Sequence, residues 1–150
     1  MGLFDAIEIS ASGLSAERLR MDITAENLAN AQTTRGADGQ PYKRKQVVLA
    51  QTGGGFGAML AGAMGPRSLA RGATGGGVAV AGIVEDPSPS RMVYDPGHPD
   101  ADARGYVALP NVNPVAEMVE LITASRAYEA NVTAMQSAKS MFTKTFELLR

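Results

Sequence analysis

Leu121, Tyr128, Met135, Phe142 and Leu149 recur every seven residues along the C-terminal segment, with Met118, Val132 and Phe146 at the intermediate positions. A seven-residue repeat lays apolar side chains along one line of a helix, and such a line is stable only against a partner. Asn113 followed by Pro114 supplies a capping amide and then a ring already set at helical φ. Glu117 stands where the positive end of the helix dipole favours an acid. No glycine or proline follows Pro114. The spacing therefore predicts a helix of about 36 residues, roughly 54 Å at 1.5 Å per residue. That is long for a small globular domain.

The N-terminal segment carries a second stripe. Phe4, Ile7, Ala11, Leu14, Arg18, Met21, Ala25 and Leu28 are spaced alternately three and four apart, interrupted only by Arg18. Ile9, Ala16 and Ile23 widen the apolar face, while Glu8, Glu17, Arg20, Asp22 and Glu26 lie mostly away from it. This predicts an amphipathic helix near residues 3–30, ending at Asn30, which tolerates a left-handed cap. Gly13 costs about 1 kcal/mol relative to Ala in a helix interior, so a kink or a close contact is expected there.

Between the helices the pattern changes. The runs 42–50 and 77–84 are rich in Val and of strand length, and 92–94 and 106–109 form shorter candidates. Residues 53–82 hold 11 of the 17 glycines, which predicts a mobile loop over about 53–77. Asp95-Pro96-Gly97 is turn chemistry. The fold class is thus α+β: long N- and C-terminal amphipathic helices pairing as a coiled coil, with a small central β-region and a flexible glycine-rich loop. The segments are 1–32, 33–110 and 111–150.

Composition removes several functions. Fourteen basic and 15 acidic residues give a net charge of −1, so no global field draws in a nucleic-acid backbone or an anionic membrane. Cysteine is absent, and with it disulfides, thiolate metal sites and cysteine nucleophiles. The first residues lack a basic leader, and no apolar run reaches bilayer-spanning length, so neither a cleaved secretory signal nor membrane insertion is expected. Ala6 stands where a myristoylation signal needs Ser or Thr.

Candidate chemical sites fail on particular residues. No Gly-Lys-Ser or Gly-Lys-Thr follows the glycine-rich segment, so it is not a phosphate loop. Asp100, Asp102 and Gly105 match three positions of a calcium loop, but Arg104 and Asn111 occupy ligand positions, which favours a turn. His98 is the only histidine and no nucleophile or oxyanion donor accompanies it. Glu17, Asp22 and Glu26 read as a solvated helix face. No catalytic, cofactor or metal site is expected, and the chain is not read as an enzyme. Two long stripes at opposite ends of a short chain can pair with each other, yet they leave apolar length that other subunits must cover.

Several motifs resemble the flagellar rod and hook family. At the N-terminus these are Ser12-Gly13-Leu14-Ser15-Ala16, then Asn27-Leu28-Ala29-Asn30-Ala31 and Thr33-Thr34. At the C-terminus they are Asn111-Val112-Asn113-Pro114-Val115, Glu117-Met118 and Arg126-Ala127-Tyr128-Glu129-Ala130-Asn131. Internal runs at 34–45 and 93–101 resemble a proximal-rod member, and the resemblance covers nearly everything except residues near 53–77. It implies a subunit exported through the flagellar type III apparatus without a cleaved signal peptide and assembled in the periplasm-spanning rod of the basal body. Its implied partners are further copies, proximal and distal rod subunits and an export-gate adaptor. The terminal helices would line the inner layers of a tube that transmits torque to the hook. The expected assembly residues are Ile7, Leu14, Met21, Leu28, Leu121, Tyr128, Met135, Phe142 and Leu149. Asn27, Asn30 and Asn131 are expected as polar locks, whose cost on burial makes register specific.

Overall fold

The computed structural model describes residues 3–36, 38–52 and 76–148, and the predicted mobile loop lies almost wholly outside them. Helix α1 spans Leu3–Ala29 and helix α2 spans Pro114–Leu148, 27 and 35 residues long. Between them come β1 (Lys45–Gln51), β2 (Val78–Glu85), β3 (Arg91–Tyr94) and β4 (Tyr106–Leu109). The fold is α+β, as the alternation of periodicities predicts, with both helices ending within a residue or two of their expected limits. Among the described residues no helix is long and apolar enough to cross a membrane.

The caps follow the sequence chemistry. Asn113 Oδ1 accepts hydrogen bonds from the Val115 and Ala116 amides at 3.1 and 3.5 Å, and Pro114 follows as the first helical residue. At the end of α1 the Asn30 and Ala31 amides donate to the carbonyls of Glu26 and Leu28 at 3.0 and 3.3 Å, closing the helix through a turn.

Among the described residues the strands form two separate two-stranded sheets, β1-β2 and β3-β4. The Asp86 amide donates to the Arg44 carbonyl at 2.8 Å and the Thr52 amide to the Gly77 carbonyl at 2.8 Å, so the first pair runs antiparallel. In the second, Arg91 faces Leu109 and Tyr94 faces Tyr106, antiparallel and in register. The Tyr94 and Tyr106 rings meet edge-on at 5.3 Å. Gly105 closes this hairpin with φ +79°, and a Cβ there would lie 2.9 Å from Tyr94 Cε2, so the turn requires glycine on two counts. Its loop is held by carboxylates: Asp95 Oδ1 accepts from the Gly97 amide, and Asp102 Oδ1 accepts from the amides of Arg104 and Tyr106.

The chain divides into two compact units, each discontinuous in sequence. One comprises residues 1–18, 49–81 and 126–150; the other comprises 19–48 and 82–125. In the first, Ser12 Oγ accepts from the Val78 amide at 3.0 Å, fixing β2 to α1. Gly13 packs on Asn131 so closely that a Cβ would sit 3.0 Å from the Asn131 Nδ2, which is the close contact expected at that glycine. In the second, Val107, Pro110 and Val112 are buried beside the cap of α2. The fully buried apolar side chains of the described residues are small: Ala16, Ala31, Val107, Val112, Ala124 and Ala138.

Candidate functional site

The second unit is centred on a polar cluster built from three distant stretches of chain. Asn27 comes from the last turn of α1, Tyr42, Arg44 and Lys45 from the approach to β1, and Asn111 and Glu117 from the cap and first turn of α2. Asn27 is 1% exposed, and its amide uses its whole capacity. Nδ2 donates to the Lys45 carbonyl at 2.8 Å and to Glu117 Oε2 at 3.0 Å. Oδ1 accepts from Tyr42 Oη and from the Lys45 amide, both at 2.9 Å. A residue of any other shape would leave several of these groups unpaired.

Glu117, also 1% exposed, divides its two oxygens: Oε1 accepts from Arg44 Nε at 2.6 Å while Oε2 takes the Asn27 amide. A buried carboxylate with a charged partner and a second donor recovers most of its desolvation cost. Arg44 also stands 4.0 Å from Asp86, whose carboxyl is held below its ordinary range by hydrogen bonds from the Ser88 hydroxyl and amide and by the Arg44 charge. Asn111 completes the frame by accepting from the Arg44 amide at 2.9 Å and donating to the carbonyls of Asp86 and Ser88. Lys45 pairs with Glu26 at 2.6 Å, which ties that carboxylate into the site; Asp22 faces solvent and Glu17 is half-buried.

Burial first, and then the negative charges of Glu26, Glu117 and Glu85, together push the Tyr42 phenol up from 10.0 to about 12. The unfolded chain loses this proton near pH 10 and the folded chain near pH 12, so in that window the unfolded state binds fewer protons. Stability contributed by the neutral phenol is complete below pH 10 and is lost as pH rises towards 12. Chemical unfolding measured against pH will show this alkaline loss diminished in Tyr42→Phe. At neutral pH that variant will cost about 0.5–1.5 kcal/mol for the missing hydrogen bond to Asn27.

On both helices the large apolar residues expected at the interface flank the buried line and do not form it. In α1, Ala16, Thr24 and Asn27 are buried, while Ile7, Leu14, Met21, Leu28 and Asn30 are half-buried and Arg18 turns outward. In α2, Glu117, Ala124 and Ala138 are buried; Leu121, Tyr128, Asn131 and Met135 are half-buried; and Phe142 is 38% exposed. Met118 and Phe146 are 51 and 59% exposed, and the Leu149 position lies outside the described residues. The centre of each helix face is therefore small or polar, and its bulky shoulders remain partly in solvent. Sequence reasoning placed the shoulders but missed Arg44 and the burial of Glu117. The available signal was the acid at the first turn of α2 together with the basic run Lys43-Arg44-Lys45, which a buried acid can draw on.

Among the described residues, sixteen large hydrophobic side chains are more than a third exposed, against the short list of small ones buried. They lie on all four strands and along α2. This inversion of size, with small residues inside and large ones outside, suits a surface that other chains cover.

Comparison with known proteins places two family models on the chain: "Flagella basal body rod protein" over residues 7–37 and "Flagellar basal body rod FlgEFG protein C-terminal" over residues 103–148. Curated relatives match throughout. The flagellar basal-body rod protein FlgC of Borreliella burgdorferi is 46% identical over 100% of this chain and 99% of its own length. That of Bacillus subtilis is 46% identical over 99% of both, and that of Escherichia coli O6:H1 43% identical over 99% of this chain and 98% of its own. With the first of these, the match takes in the glycine-rich segment as well as the two signatures.

Proposed function

The chain belongs to the family of flagellar basal-body rod proteins FlgC, and from that membership we propose how its two helices and central strands build a rod. It is a structural subunit of the bacterial flagellar basal-body rod and works by assembly, not by turnover. The segments 1–32 and 111–150 form the helical layer of the proximal rod, and 33–110 packs outside it. The helices pair antiparallel as a coiled coil. That pairing is supported by two contacts, Gly13 with Asn131 and Asn27 with Glu117, which stand fourteen residues apart on each helix. Fourteen residues are two heptads, the interval at which a coiled-coil seam returns to the same face.

Ile7, Leu14, Met21, Leu28, Leu121, Tyr128, Met135, Phe142 and Leu149 make the contacts between subunits; Asn27, Asn30 and Asn131 set register. Asn27 does so within its own chain, its four hydrogen bonds all being internal. The neighbours are further copies, other proximal and distal rod subunits and the adaptor at the export gate. The subunit reaches the periplasm through the type III apparatus. Stiffness is the product: each Leu, Met or Phe buried between subunits contributes about 1.5–3 kcal/mol before ordering costs, and repetition around the tube carries torque.

The observation that carries this reading is the reversed distribution of apolar size between interior and surface. Its test is the composition of purified basal bodies. The chain is expected there, between export gate and distal rod. Its absence from them, with the free polypeptide a monomer at all concentrations, would sink the reading.

A further inference from the structure

At residues 86, 95, 98, 102 and 113 a side chain accepts a hydrogen bond from the backbone amide two residues further on, which closes a short turn. In four of these the acceptor is an oxygen, of Asp86, Asp95, Asp102 and Asn113. In the remaining one it is a ring nitrogen: His98 Nδ1 takes the Asp100 amide at 3.1 Å. The difference matters in acid. Above about pH 5 a carboxylate or amide oxygen keeps its lone pairs, whereas an imidazole nitrogen accepts only while it carries no proton, and histidine gains one between about pH 8 and pH 5.

The residue held by that ring has a second task. Asp100 Oδ2 accepts from the Thr34 hydroxyl at 2.8 Å and Oδ1 stands 3.6 Å from Arg35 Nη1, so one carboxylate ties the turn at 95–101 to the segment that follows α1. Pro99 has no N–H, which leaves the Asp100 amide as the first that the ring can take. His98 itself is anchored separately, its amide donating to the Asp95 carbonyl at 3.3 Å and its carbonyl accepting from the Ala101 amide at 3.1 Å. The charged groups at this junction are Asp95 and Asp100 in the turn, Asp102 and Arg104 further along the same loop, and Arg35 on the segment packed against it. We propose that His98 is a pH-sensitive latch on this tie. Protonation of Nδ1 sets donor against donor at the Asp100 amide, and the cationic ring then competes with Thr34 and Arg35 for the Asp100 carboxylate. The closed latch excludes a proton that the open one accepts, so falling pH favours the open form. The turns closed by oxygens stay shut, and the backbone bonds that anchor His98 do not involve its ring.

Nuclear magnetic resonance on the nitrogen-labelled full chain tests this, and a single histidine makes the ring signals unambiguous. At about pH 8 the ring is expected as the tautomer with its proton on Nε2 and Nδ1 bare. Between there and about pH 5, exchange of the Asp100 amide with water, corrected for the direct effect of pH on exchange, should rise about three- to ten-fold with the midpoint of the ring's own titration. The signals of Thr34 and Arg35 should move with that midpoint, while exchange of the Gly97 and Arg104 amides, held by carboxylates, should not change. His98→Asn places a side-chain oxygen at the same step of the turn and should keep the Asp100 amide protected throughout. His98→Ala should leave it exchanging fast at every pH. Far-UV circular dichroism of both variants should match the native chain. The proposal is overturned if Nδ1 carries the proton at about pH 8, if Asp100 exchange or the Thr34 and Arg35 signals ignore the ring's titration, if His98→Asn shows the same loss in acid, or if His98→Ala protects Asp100 as the native chain does.

Discussion

Cells whose only copy of this subunit carries Met135→Asp are expected to be non-motile while still exporting it at the normal level. Met135 lies on the seven-residue line with Leu121 and Tyr128 and is half-buried in the single chain, so the free subunit tolerates a polar group there. The assembled rod, with Met135 in the proposed interface, is expected not to. Closing the shoulder over an aspartate removes its water without supplying a partner, a cost of several kcal/mol per ion after relaxation. It also forfeits about 1.5–3 kcal/mol of methionine burial. The penalty recurs at every equivalent contact around the tube. Met135→Leu conserves volume and apolarity and should swim. Swarming on soft agar, together with immunodetection of the exported subunit, checks both variants. Normal swimming by the aspartate variant would remove α2 from the rod interface.

Glu117→Ala is expected to be the most destabilising single change within the chain, by about 3–5 kcal/mol, the range for breaking a buried ion pair from one side. Its removal strands the Asn27 Nδ2 and the Arg44 Nε, which now donate to it at 3.0 and 2.6 Å. Arg44 keeps Asp86 at 4.0 Å and its side chain is 24% exposed, so the loss should fall at the lower end of that range. Glu117→Gln leaves one oxygen for Arg44 but turns an N–H donor towards the Asn27 donor, and should fall between the alanine variant and the native chain. Urea unfolding followed by far-UV circular dichroism measures the series. A cost for Glu117→Ala no larger than that of an ordinary surface substitution would show that the cluster does not hold the second unit together.

The helices were legible because their chemistry is local. Asn113-Pro114 marks a helix start whatever the rest of the chain does, and the observed helix begins at Pro114. The strands were legible to within a few residues because runs of Val bounded by turn residues have few alternatives, and the short strand at 106–109 fell where expected. What stayed hidden was long-range. Asn27, Arg44, Asn111 and Glu117 are separated by up to 90 residues, and no periodicity announces that their side chains meet. The motifs containing Asn27 and Asn111 were visible as a family resemblance, but the physical reason for those amides, two nearly saturated hydrogen-bond sets, needed coordinates. Ala124 and Ala138 were overlooked for a different reason. Alanine contributes little to a hydrophobic pattern, yet on a closely packed helix face it is the residue that fits. Stripe analysis therefore singled out the bulky residues on the shoulders of the helix and passed over Ala124 and Ala138, which the chain buries itself.

Each compact unit draws on widely separated parts of the chain, one of them on its beginning, middle and end. No N-terminal fragment can finish that unit, because its closing strand of contacts comes from residues 126–150. The other still waits for the turn that carries Glu117. On the export route proposed above, a polypeptide threaded lengthwise through a narrow conduit would thus stay unfinished for most of its passage, as high sequence separation between contacting residues slows closure. The same topology that ties three distant stretches together would keep the chain thin enough for that route, and let it set only where its last residues arrive.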